Sequence, residues 1–126
     1  MMTHREIERR IAEEIVGLLD SNRGGASGTL RWMDSKTHLV EVVRYVYLSE
    51  MMRDENGFPL SQKVIAERVF SLFGMPLPRN INCYLTRLYS YKGVRSQRLA
   101  DILYYRINER NQEFSLSLYI RNCLVV

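Results

Sequence analysis

The stretch of this chain best suited to a chemical role lies between Glu67 and Asp101. This stretch contains no aspartate and no glutamate. It carries six of the 18 basic residues, whereas the rest of the 126-residue chain has 12 bases against 14 acids. The net charge of +4 therefore comes entirely from this one segment. A local basic patch of this kind is typical of a surface that binds phosphate groups.

The polar side chains of the segment are of the types that proteins use on DNA. Arginine and lysine bind phosphate oxygens, arginine also binds guanine, asparagine binds adenine, and serine and threonine adapt to either. The sequence therefore predicts binding of double-stranded DNA. The predicted DNA-binding residues are Arg79, Asn82, Thr86, Arg87, Ser90, Lys92, Arg95, Ser96 and Arg98.

A helix over residues 79–91 would present the first of these residues. On a helical projection its apolar residues gather on one side, and small polar or basic residues occupy the other. A helix packed on one face and polar on the other suits insertion into a major groove. The preceding helix, 61–73, which Ser61 is predicted to cap, would brace it. The amides of a further helix starting at Ser96 could hold a phosphate. The predicted inner residues are Ile81, Tyr84, Leu85 and Leu88, and the outer ones also include Cys83.

The connection between these two helices, GMPLP at 74–78, is long for a helix-turn-helix motif. Gly74 fits the left-handed position just past a helix end, and the two prolines prevent the helix from continuing. We therefore predict a longer-loop variety such as a winged helix.

The remaining elements complete a mainly α prediction. A helix begins after Asp34 or Ser35, either of which can cap it, and ends near Met52. Residues 29–32 alternate polar and apolar, as in a short strand. Within the C-terminal segment 112–126, the alternation of Phe114, Leu116, Leu118 and Ile120 favours a partner strand for residues 30–32, with a continued helix as the alternative. The predicted fold is thus a helix-turn-helix or winged-helix-like domain with about five helices and a small two-stranded sheet.

The N-terminal part of the chain is predicted to be a leading amphipathic helix. We assign 1–20 to this leading helix, 21–28 to a glycine-rich linker and 29–126 to the DNA-binding domain. Isoleucines at helical spacing form a stripe along 5–19. The stripe is predicted to pack on its own domain, and a homodimer through the same helix is the alternative.

Several other classes of function are not expected. The charged N-terminus does not resemble a secretory signal, and no apolar run is long enough to span a membrane, so a cytoplasmic protein is predicted. His4, His38, Cys83 and Cys123 lack the spacing of metal ligands, and no cofactor motif is present. Catalysis is not expected, because no acid–base pair or nucleophilic arrangement can be recognised.

Two segments of the chain, 30–77 and 87–103, resemble the C-terminal domain of the RteC family. The shared features begin with Trp32 and the following Asp34-Ser35-Lys36, and continue through a tyrosine-rich helix end and a turn with Gly57. They end with Ile65-Ala66, Phe70, Phe73, Arg95-Ser96 and Leu99.

The resemblance implies both a fold and a class of function. RteC proteins are regulators on Bacteroides-type mobile elements that promote excision of conjugative transposons, and their C-terminal domain is regarded as a helix-turn-helix unit. The chain would then regulate transcription or mobile-element excision through sequence-specific DNA binding. The alternative is a non-catalytic protein–protein adaptor or oligomerisation module with the same helical fold.

Overall fold

The computed structural model describes residues 2–21, 30–90 and 98–122. These residues form five helices and one two-stranded sheet, which confirms the predicted mainly helical fold with a small sheet. No described helix combines the length and the apolar character needed to cross a membrane. In chain order the elements are α1 (His4–Ser21), β1 (Leu30–Trp32), α2 (Lys36–Ser49), α3 (Gln62–Leu72), α4 (Ile81–Ser90), α5 (Leu99–Asn108) and β2 (Ile120–Asn122).

Side-chain caps begin two of the helices, as predicted from the sequence. The hydroxyl of Ser35 accepts a hydrogen bond from the His38 amide at 3.2 Å, and that of Ser61 accepts one from the Val64 amide at 3.3 Å. Each cap satisfies an amide that has no partner within its helix. Helix α2 ends at Ser49, earlier than predicted, because Glu50 adopts a left-handed backbone with φ 57°.

Helix α3 ends in a Schellman motif centred on Gly74. The Met75 amide donates to the Phe70 carbonyl at 2.9 Å, and the Gly74 amide donates to the Ser71 carbonyl at 3.0 Å. Gly74 has φ 63°, which confirms the predicted left-handed position. This motif satisfies the last carbonyls of α3 and turns the chain toward α4.

The sheet joins the first and last strands of the described chain. β1 and β2 are antiparallel, and Trp32 lies opposite Ile120. The predicted pairing is correct, but β2 lies later in the chain than the alternation at 114–120 suggested. Residues 114–119 approach it through a turn, in which the Tyr119 amide donates to the Leu116 carbonyl at 2.9 Å. Leu116 is buried there, whereas Leu118 projects into solvent.

The isoleucine stripe of α1 belongs to the chain's own core. Ile7, Ile11 and Ile15 are fully buried, and α1 packs against α2 and α5. Self-docking of this helix, the prediction favoured from the sequence, thus matches the structure. A dimer through α1 would have to use its polar outer face.

Trp32 anchors the sheet to the helical core. Its indole Nε1 donates to the Ser35 carbonyl at 2.9 Å, and its ring packs near those of Phe73 and Tyr119. Because Ser35 also caps α2, these contacts link the sheet to the start of that helix.

Candidate nucleic-acid interface

Helix α4 has the two faces that the sequence predicted. Ile81, Tyr84 and Leu85 are half-buried and Leu88 is buried, so this side contacts the core. The side chains on the opposite side, and the one just before the helix, are exposed. They are Arg79, Asn82, Cys83, Thr86 and Arg87.

The exposed face of α4 carries uncompensated positive charge. Arg79 precedes the helix and Arg87 lies in its last turn, and neither forms an ion pair with any described residue. The helix itself contains no acid. With a rise of 1.5 Å per residue, the helix advances roughly 9 Å from Ile81 to Arg87, and Asn82 and Thr86 lie between the two arginines.

The N-terminus of α4 is set by Asn80. Its side-chain oxygen accepts a hydrogen bond from the Cys83 amide at 3.3 Å, a cap that positions the first turn. This places Arg79 immediately before the cap and Asn82 in the first turn.

The support for α4 differs from the predicted arrangement. The preceding helix was expected to brace it, but α4 packs mainly against α2. The connection 74–78 contains two prolines, which favour extended backbone, so no tight turn folds α4 back onto α3. Helix α2 therefore holds the candidate interface in place.

The predicted phosphate site at the start of the next helix is wrong. Helix α5 begins at Leu99, three residues later than expected, and the Leu99 and Ala100 amides donate to the carboxylate of Glu41. The two distances are 2.7 and 3.0 Å. The carboxyl group of Glu41 from α2 already occupies this position, so a DNA phosphate cannot use the same amides.

Glu41 is a residue whose role sequence reasoning missed. It interrupts an apolar run, yet it is fully buried and also accepts a hydrogen bond from the Tyr45 hydroxyl at 2.5 Å. Burial raises the pKa of Glu41, although the bonds from Tyr45, Ala100 and Leu99 and the nearby His38 oppose that rise. The only signal in the sequence was a tyrosine four residues after an acid on an apolar helix.

Arg98 is placed differently from Arg79 and Arg87. Its Nε lies 3.1 Å from Oδ2 of Asp101, and this bond raises the pKa of the Arg98 guanidinium. The other oxygen of Asp101 lies 3.0 Å from Nε2 of His4, whose ring stacks on Tyr104. The charge of Arg98 is thus largely countered within the protein, and the same cluster ties α1 to α5.

Four of the predicted DNA-binding side chains fall outside the described part of the chain. Lys92, Arg95 and Ser96 lie outside the described residues, as does the side chain of Ser90. In the described part of the chain, no three His, Cys, Asp or Glu side chains are grouped so that they could hold a metal ion.

Comparison with known proteins adds no relative. No protein-family model, curated protein or solved structure matches this chain. Functional inference therefore rests on the geometry of α4 and its surroundings.

Proposed function

We propose that this protein binds double-stranded DNA with α4 in the major groove, as a regulator of transcription or of mobile-element excision. One observation carries the proposal: the outer face of α4 presents exposed basic and amide side chains while its other face is packed on the core. Such a helix can enter a groove as it stands, without first separating from its own domain.

The charge on this face favours a DNA-binding surface over an ordinary solvated helix face. Solvated helix faces commonly mix acids with bases, but α4 has no acid, and no acid occurs between Glu67 and Asp101. A carboxylate in this position would repel phosphates, so its absence over so long a stretch favours an anionic partner.

The positions of the side chains suggest separate tasks. Arg79 and Arg87, at opposite ends of the outer face, suit phosphate or guanine contacts. Asn82 and Thr86 lie one helical turn apart between them and suit base edges. The resemblance to RteC regulators inferred from the sequence alone would imply the same class of function.

The test is fluorescence anisotropy with a labelled duplex from the region upstream of the protein's own coding sequence, compared with a scrambled duplex over a series of salt concentrations. We expect preference for the upstream duplex and affinity that falls as salt rises. Arg87→Ala should weaken binding and reduce the salt slope by about 1. The matched control is Arg5→Ala, which removes an exposed arginine from α1.

Two results would contradict the proposal. One is absence of binding even at low salt. The other is equal binding by the Arg87→Ala and Arg5→Ala variants, which would show that the outer face of α4 is not the contact surface.

A further inference from the structure

Two large apolar side chains stand out from the surface of the described chain. Phe58 and Leu118 are each 67% exposed, more than any other large apolar side chain among those residues. Single exposed apolar residues are ordinary, but each of these belongs to a shaped feature. Phe58 lies in the turn of a hairpin between α2 and α3 that the Arg53–Pro59 bridge closes, and Leu118 borders a groove beside α5.

The α5 groove has a volume of about 670 Å³ and is open to solvent. Its apolar lining comes from Ile102, Tyr105 and Leu118, and Tyr105 is itself 53% exposed. Arg106 and Arg110 add two cations to the lining. The acid of the groove, Asp101, is already paired with His4 and Arg98, so the basic side chains dominate its charge.

Hydrogen bonds that involve Asp54 close the tip of the hairpin, residues 54–58. The Asp54 amide donates to the Phe58 carbonyl at 2.8 Å, and the Asp54 carboxylate accepts from the amides of Asn56 and Phe58. Gly57 has φ 85°, a backbone that other residues adopt with strain. Phe58 is therefore presented on a preorganised turn, which lowers the entropic cost of docking it.

The charge of the 54–58 tip determines which kinds of surface it can bind. Asp54 and Glu55 are exposed beside Phe58, and Arg53, which donates from Nη1 to the Gly57 carbonyl at 2.7 Å, offsets one of these charges. The tip keeps a net negative charge, which does not suit a DNA-contacting wing. The same acids complement Arg106 and Arg110. A small acidic turn with an aromatic side chain thus meets the requirements of an apolar groove with a basic border.

We propose that the 54–58 tip of one copy of this chain docks in the α5 groove of a second copy. Phe58 would contact Tyr105 and Leu118, and the acids of the tip would face Arg106 and Arg110. The contact is head-to-tail, because each docked pair keeps one free tip and one free groove. Association then continues into a ring or an open chain. This assembly does not depend on the proposed DNA binding, which uses α4.

Sedimentation velocity over a wide concentration range tests the proposal directly. The wild-type chain should pass from monomer to oligomers as concentration rises. Phe58→Ser and Leu118→Ser should each weaken self-association by about tenfold or more, as expected for loss of an interface anchor. Leu48→Ser is the matched control, since Leu48 is 55% exposed but belongs to neither surface.

Mixing the two variants gives a sharper result. Phe58→Ser keeps an intact groove and Leu118→Ser keeps an intact tip, so the mixture should form a one-to-one complex and stop there. The double variant should remain monomeric. A wild-type chain that stays monomeric at every concentration, or a mixture that stays monomeric, would overturn the proposal and assign the groove to another partner.

Charge reversal provides a second test that leaves the apolar residues in place. Arg110→Glu and Glu55→Lys should each weaken self-association, and the chain that carries both should recover it, because the tip and groove charges are exchanged. Failure of the double reversal to recover association would contradict the proposed contact. Circular dichroism confirms that each variant is folded.

Discussion

The carboxylate of Glu41 accepts a hydrogen bond from the backbone amide of Leu99 at 2.7 Å, although 58 residues separate them in the chain. An acid in the middle of α2 thereby caps the start of α5. Because α2 also supports α4, the described residues on both sides of 91–97 are held by the same helix. Helix α2 thus holds both α4 and the start of α5 in place.

Glu41→Gln should destabilise the protein. The two carboxylate oxygens accept from two different backbone amides, whereas glutamine has only one side-chain oxygen, so one amide of α5 would face an NH₂ group. A buried amide left without an acceptor costs about 1–3 kcal/mol. Urea unfolding followed by the fluorescence of Trp32, the sole tryptophan, measures the loss. Glu55→Gln, on the exposed turn, is the control and should change stability little.

The stabilising effect of Glu41 should depend on pH in the opposite sense to that of a surface carboxylate in an ion pair. Burial raises the pKa of Glu41 above its ordinary value of 4.5, so the folded state holds this proton more tightly than the unfolded state. The resulting contribution to stability is complete below 4.5 and is lost as pH rises through the folded-state pKa. The difference in unfolding free energy between wild type and Glu41→Gln should therefore shrink with rising pH. A difference that grows instead would show that folding lowers this pKa.

Ile11→Ala should destabilise the whole protein, because Ile11 is fully buried between α1 and the rest of the core. Removal of a buried isoleucine side chain to alanine costs about 2–5 kcal/mol. Urea unfolding should show one shifted transition, and the exposed Glu13→Ala variant on the same helix should behave nearly as wild type. An unchanged midpoint for Ile11→Ala would mean that α1 does not pack on its own domain.

Two glycine substitutions should act in opposite directions. Gly74 has φ 63° in the Schellman motif, so Gly74→Ala should cost about 1–2 kcal/mol. Gly17 lies inside α1 and an added Cβ would meet nothing within 4 Å, so Gly17→Ala should stabilise by about 0.5–1 kcal/mol. Thermal unfolding of the two variants distinguishes them, and stabilisation by Gly74→Ala would contradict the assigned cap.

Arg98→Ala should reduce DNA affinity less than Arg87→Ala. The guanidinium of Arg98 is bound by Asp101, whereas Arg87 is exposed and has no ion pair with a described residue. A charge already countered within the protein contributes less to phosphate binding. Anisotropy with both variants on the same duplex makes the comparison, and an equal loss of affinity would show that Arg98 leaves Asp101 when DNA binds.

Local signals in the sequence determined much of this structure. The caps at Ser35 and Ser61 and the left-handed turn at Gly74 depend on residues within a few positions of one another, so the sequence predicts them directly. The two faces of α4 follow from helical periodicity alone. The mainly helical fold with a small sheet, and the candidate DNA-binding face, rest on such short-range patterns.

Only the tertiary structure decided which distant groups meet. The burial of Glu41, the later start of α5, the contact of His4 with Asp101 and the support of α4 by α2 each require elements far apart in the chain to come together. The position of β2 was missed for a related reason: alternation at 114–120 is equally compatible with a turn that buries Leu116 and exposes Leu118. The sequence does not show whether a carboxylate in an apolar helix is buried, because burial is set by the surrounding fold. Its hydrogen-bond partners can also come from any part of the chain.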